Sequence, residues 1–156
     1  MKRIIIIFIC SVFFSFCAIC DLNAQDYQDY CKFFDKSWRE LSNYQKDFSS
    51  IATSKAVSLT RISLYYQDNL SFVRDLLFIF NNIHDERDRK IVGRAITGSI
   101  DRIIKRLEIQ IGLVSIELNY SKNQNLIILG NQFRRKLREI NEKIKLIKFN
   151  IIKGGG

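Results

Sequence analysis

Beyond residue 24 this chain of 156 residues holds one cysteine and one histidine, Cys31 and His84. A thiol beside an imidazole is the pairing that nucleophilic catalysis uses, because the imidazole takes the proton and the thiolate attacks. Cys31, however, stands among Tyr27, Tyr30, Phe34 and Trp38, on the three- and four-residue steps of an apolar helical stripe. A cysteine there acts as a small hydrophobe, or as one half of an intermolecular bridge in an oxidising compartment. His84 is followed by Asp85, Glu86 and Asp88, a donor set that could hold a divalent ion. The same acids also serve a helix start, with Asp85 as N-cap and Asp88 in the first turn, where the helix dipole favours negative charge. No second histidine, CxxC pair or glycine-rich phosphate loop follows, which removes His-based zinc sites, dithiol redox chemistry and the nucleotide fingerprints. Carboxylate pairs of the glycosidase kind are allowed by spacing, but a narrow helical molecule offers them no cleft. The expectation is a protein with no catalytic residue, no metal and no cofactor.

Charge is the more informative chemistry. From Gln25 to Ile83 seven lysines and arginines balance seven acids; from His84 to Gly156 sixteen face eight, an excess of +8. Over the same two stretches aromatics divide the other way, twelve from Gln25 to Ile83 and three from His84 to Gly156. Basic residues collect in two places, Arg87 to Lys90 with Arg94, Arg102, Lys105 and Arg106, and then Arg134, Arg135, Lys136 and Arg138 with Lys143, Lys145, Lys148 and Lys153; Arg102, Lys105, Arg106, Arg134, Arg135, Lys136 and Arg138 are singled out. They are the candidate residues for an anionic partner such as a lipid headgroup, a cell-wall polymer or an acidic protein. Tyr30, Phe33, Trp38 and Tyr44 are the candidate protein contacts, wherever they reach the surface. Zinc-finger spacing and RNA-binding aromatic signatures are absent, so a specific nucleic acid is not expected.

These groups must be carried on helices. The chain has no proline, seven glycines and 47% hydrophobic residues, which supplies a core but little of the punctuation a many-stranded sheet requires. Apolar steps of three and four run through Tyr27, Tyr30, Phe34, Trp38 and Leu41, resume at Phe48 and Ile51, and then run through Leu59, Ile62, Tyr66, Leu70, Val73, Leu77 and Phe80. A second ridge beside the latter, Phe72, Leu76, Ile79 and Ile83, predicts a broad stripe and a helix central to its bundle. A break at Ser49-Ser50 and one helix from Asp26 to Asn81 are both compatible with the pattern. Asn81 to Asp85 and Ser121 to Asn125 are clearer turns. Between them Val92, Ile96, Ile100, Ile103, Leu107, Ile111, Val114 and Leu118 form a ridge, and Phe133, Leu137, Ile140, Ile144, Ile147 and Ile151 form the most regular heptad in the chain. Gly93, Gly98, Gly112 and Gly130 all interrupt helical patterns; Gly98 and Gly112, two heptads apart, share a face. The fold class expected is all-α, an elongated antiparallel hairpin or up-and-down bundle of two to four long helices.

The first residues read as an address. Met1-Lys2-Arg3 precedes Ile4 to Cys20, seventeen residues without a charge, the layout of a secretory signal with cleavage after Ala24. An uncleaved anchor is the other reading of this segment. The domains expected are 1–24 signal, 25–153 one helical domain and 154–156 a loose glycine tail. Both readings put the domain outside the cytoplasm, since the basic start stays inside. The expected function is an exported, non-enzymatic helical protein of the bacterial envelope that works through a protein partner or self-association, with an anionic surface as a second attachment. The layout resembles that of exported helical components of conjugative type IV secretion machines, a likeness that carries no motif and assigns no residue. A periplasmic immunity protein or inhibitor is a further alternative. Replacing Leu137 or Ile144 by Asp is expected to abolish cooperative thermal melting followed by circular dichroism; an unchanged melt would remove the heptad from the core.

Overall fold

Each turn in the computed structural model falls where the sequence provides a cap. The helices are α1 (Lys2–Ser49), α2 (Ser54–Asn81), α3 (Glu86–Asn119) and α4 (Gln124–Gly154). The structure describes the backbone of residues 2–154 and the side chains of residues 26–153. The side chains of the segment read as a signal, 1–24, and of the glycine tail, 154–156, lie outside that description. Among the described residues no helix is long and apolar enough to cross a membrane.

The pattern at Ser49-Ser50 resolves as a break, because Thr53 in extended conformation accepts a hydrogen bond from the Ala56 amide at 3.2 Å and starts α2. Asp85 caps α3 through the Asp88 amide at 2.9 Å, so the acids beside His84 act at the helix start. Asn123 does the same for α4, accepting from the Leu126 amide at 3.0 Å. With 34 residues α3 is about 51 Å long at 1.5 Å per residue.

Each helix packs on the next in sequence, and α1 meets α4 to close the ring. α2 and α4 also touch across the middle, so each contacts all three other helices. The heptad of α4 is the best-buried face, with Phe133, Leu137, Ile140, Ile144 and Ile147 fully enclosed. From the other helices Leu41, Phe48, Leu59, Leu70, Ile100 and Leu107 are buried in the same core. Phe48 meets Phe133 edge to face with ring centres 5.2 Å apart, the arrangement that aromatic quadrupoles favour.

The broad stripe expected of α2 is narrower in the structure. Its first ridge is buried throughout, but Phe72 and Ile79 of the second are half exposed, while Leu76 and Ile83 are partly covered. α2 has neighbours on its inner side only, so a stripe two ridges wide leaves the second at the rim.

Glycines divide by location. A Cβ on Gly130 would run into Leu118, and one on Gly93 would lie 3.1 Å from Cε2 of Phe80. Gly98 and Gly112, which share a face, meet open space. Gly130→Ala is therefore expected to cost about 1–3 kcal/mol through overpacking. Gly98→Ala and Gly112→Ala are expected to stabilise by up to about 1 kcal/mol. Denaturant titration of the three variants measures both signs.

Candidate functional site

The basic residues of α4 are largely taken up in holding the helices together. Arg134 reaches the Ser115 hydroxyl of α3 at 3.0 Å and Oδ1 of Asn131 at 2.9 Å. Lys145 pairs with Glu108 at 3.1 Å and Lys148 with Asp101 at 2.7 Å. These three rungs fix the antiparallel register of α3 and α4. On the other flank Lys136 pairs with Glu40 of α1 at 2.6 Å and with Glu139 at 3.0 Å, and its side chain is only 10% exposed. Its Nζ also lies 5.6 Å from the centre of the Phe33 ring. Loss of water pulls the Lys136 pKa down, but hydrogen bonds and charge from Glu40 and Glu139 outweigh that and hold it above the ordinary lysine value.

Of the seven basic residues singled out by sequence, Arg102, Lys105, Arg106, Arg135 and Arg138 are exposed, whereas Arg134 and Lys136 are partly buried. The hairpin does place α3 beside α4, yet Arg102, Lys105 and Arg106 do not stand level with Arg134, Arg135, Lys136 and Arg138. With Lys145 opposite Glu108 and Arg134 opposite Ser115, Arg138 stands about 10 Å along the axis from Lys105, or seven residues at 1.5 Å each.

The four aromatic candidates separate as sharply. Tyr30 is buried, its hydroxyl accepting from the Asn150 amide of α4. Phe33 and Tyr44 are partly buried and pack on the core, and Tyr44 lies with its ring centre 5.2 Å from that of Phe133. Desolvation raises the phenol pKa of both Tyr30 and Tyr44. Trp38 alone remains open, at 47% exposure. It sits on an open groove of about 490 Å³ between α1 and α2, with Phe34 and Leu70 as floor and Asp35, Arg39 and Arg74 at the edges.

The backbone under Trp38 is well held. Gln67, 5% exposed, donates from Nε2 to the Trp38 carbonyl at 3.0 Å and to the Ser42 hydroxyl at 2.7 Å. Its Oε1 accepts from Gln45 at 2.6 Å, and the Ser63 hydroxyl donates to the Leu41 carbonyl at 2.9 Å. A polar seam therefore runs between α1 and α2 beside the groove, with the amide groups of Gln67 satisfied. Arg74 reaches Asp35 at 3.5 Å with both side chains about half exposed, a pair too solvated to hold either charge firmly. Periodicity marked Trp38; it carried no sign of Arg74 or of the Gln67 network, which come from another helix.

A second groove, of about 400 Å³ between α1 and α4, contains Tyr44 and Lys136, but Glu40, Asp47 and Glu139 surround the lysine. Its chemistry does not suit an anion. Cys31 is a half-buried free thiol on α1 and His84 is exposed in the turn after α2. Among the described residues no three His, Cys, Asp or Glu side chains gather as a metal site.

Comparison with protein-family models, with curated proteins and with solved structures finds no match for this chain. Lys136→Met leaves Glu40 in a partly enclosed place with only the solvated Lys36, 3.9 Å away, as cation and is expected to cost about 1–3 kcal/mol. Arg135→Ala and Arg138→Ala are expected to stay within about 0.5 kcal/mol of the parent. Chemical denaturation of the three variants separates the cation that joins helices from those that face water.

Proposed function

We propose that this chain is an exported, non-enzymatic helical protein of the bacterial cell envelope whose α1–α2 face binds a partner protein. The exposed basic residues of α3 and α4 attract that partner or an anionic surface. The observation that carries the reading is Trp38, half exposed on a groove of about 490 Å³. Tryptophan and arginine are the side chains most enriched among residues that dominate binding energy, and they act best on a rigid support. Trp38 has that support in the Gln67 hydrogen bond to its carbonyl.

Charge gives the partner its chemistry. Two arginines and one aspartate edge the groove, so an apolar side chain flanked by carboxylates fits it best. Arg102, Lys105, Arg106, Arg135 and Arg138 add a wider positive field, which raises the encounter rate with such a partner and weakens with salt. Support for export is the basic start, the seventeen uncharged residues from Ile4 to Cys20 and Ala24.

Fractionation of producing cells with intact-mass measurement is expected to find a species starting at Gln25 outside the cytoplasm. A full-length species in the cytosol would overturn export. A photo-crosslinker in place of Trp38 is expected to capture an envelope protein that the same group at Gly98 does not. Trp38→Ala is expected to weaken that complex about tenfold or more, as a loss of roughly 2 kcal/mol at a central aromatic would, with cooperative melting retained. Equal capture from both positions would end the assignment of this groove.

A further inference from the structure

At the end of the bundle where α2 turns into α3, residues of all four helices line a small half-open pocket of about 60 Å³, space for roughly four water-sized atoms and so for a ligand of four to six heavy atoms. Most of its exposed wall is apolar, from Leu77, Phe80, Ile147 and Ile151, and polar groups of Asp26, Tyr27, Tyr30, Asn81, Arg89 and Asn150 share the lining. Arg89 lies over the Phe80 ring, its guanidinium carbon 4.9 Å from the ring centre. The Nε of Arg89 is buried and has no hydrogen-bond partner among the described residues. That Nε–H lacks the acceptor a buried donor requires, although Arg89 as a whole is only partly buried.

Two further donors face the same space. The Tyr30 hydroxyl accepts from Asn150, which leaves its own proton free to donate. Asn81, on the wall at the end of α2, adds an amide. Gly93 permits the arrangement, because a Cβ there would press on the Phe80 ring at 3.1 Å. The one carboxylate on the wall is Asp26, and it makes no ion pair with Arg89.

We propose that this pocket is a binding site for a short-chain monocarboxylate of two to four carbons. The carboxylate accepts from Arg89, Tyr30 and Asn81, and the alkyl end packs on Leu77, Ile147 and Ile151. A planar two-oxygen anion matches the guanidinium fork, while phosphate would put its remaining oxygens against aliphatic carbon. The site is separate from the Trp38 groove and does not depend on the reading given to it.

Methyl NMR of the full-length chain, titrated with acetate, propionate and butyrate, tests this. Saturable shifts confined to Leu77, Ile147 and Ile151 are expected, strongest with butyrate and at roughly millimolar concentration, with none from n-butylammonium or n-propanol. Arg89→Gln is expected to weaken butyrate at least tenfold, and Asn81→Ala, which removes one of the three donors, several-fold, both with helical circular dichroism retained. Absence of saturable shifts, shifts unchanged by both substitutions, or equal response to phosphate would overturn the proposal. So would binding that appears only after Asp26→Asn, because Asp26 would then be the natural partner of Arg89.

Discussion

Close approach of α3 and α4 is the condition on which the remaining packing rests. At Gly130 the two helices come so near that Leu118 occupies the space a Cβ would need. That contact sets the depth to which the α4 heptad sinks, and so places Phe133 against Phe48 and Ile144 and Ile147 in the middle of the bundle. Three polar rungs, Lys148 to Asp101, Lys145 to Glu108 and Arg134 to Ser115, run along the outer side of the same pair. Apolar burial supplies the attraction there, and the rungs choose among the heptad-related offsets that a regular stripe leaves nearly equivalent.

The α1–α2 pair solves the offset problem differently. Its interface carries a chain of amides and hydroxyls, Gln45, Ser42, Ser63 and Gln67, whose partners are fixed positions on the facing helix. Sliding one helix past the other by one turn would strand the side chain of Gln67, at 5% exposure, without acceptors. Buried polar groups of this kind add little net stability and penalise misalignment heavily. One hairpin is thus aligned by ions at its edge, the other by neutral groups within its seam.

What the sequence makes legible follows from this. Helix positions, caps and the core ridges are local properties, encoded in residues three or four apart, and Leu59 to Phe80 and Phe133 to Ile151 read as buried and are buried. Asp85 reads as a cap and caps. Pairings between helices are another matter, because Glu40 and Lys136 are 96 positions apart and only the register brings them together. A run such as Arg134-Arg135-Lys136 therefore reads as one patch although its members face α3, water and α1 in turn. Trp38 and Tyr30 share a stripe in sequence, yet the bundle covers only one of them. The groove around Trp38 and the pocket beside Arg89 each draw walls from more than one helix, which no single periodicity can announce.

The turn between α1 and α2 is four residues, from Ser50 to Thr53, and the hydrogen bonds of their seam all lie within residues 38–67. A chain that emerges N-terminus first, from a ribosome or through a pore, can therefore complete the aligned α1–α2 hairpin while α3 and α4 are still being delivered. The second hairpin has the same local closure, and α1 with α4 is the most distant pairing left for the end. Assembly in that order makes the first hairpin a template with its apolar face open for the duration. The polar seam then acts as a timing device, holding two helices in register before the core that will bury them exists.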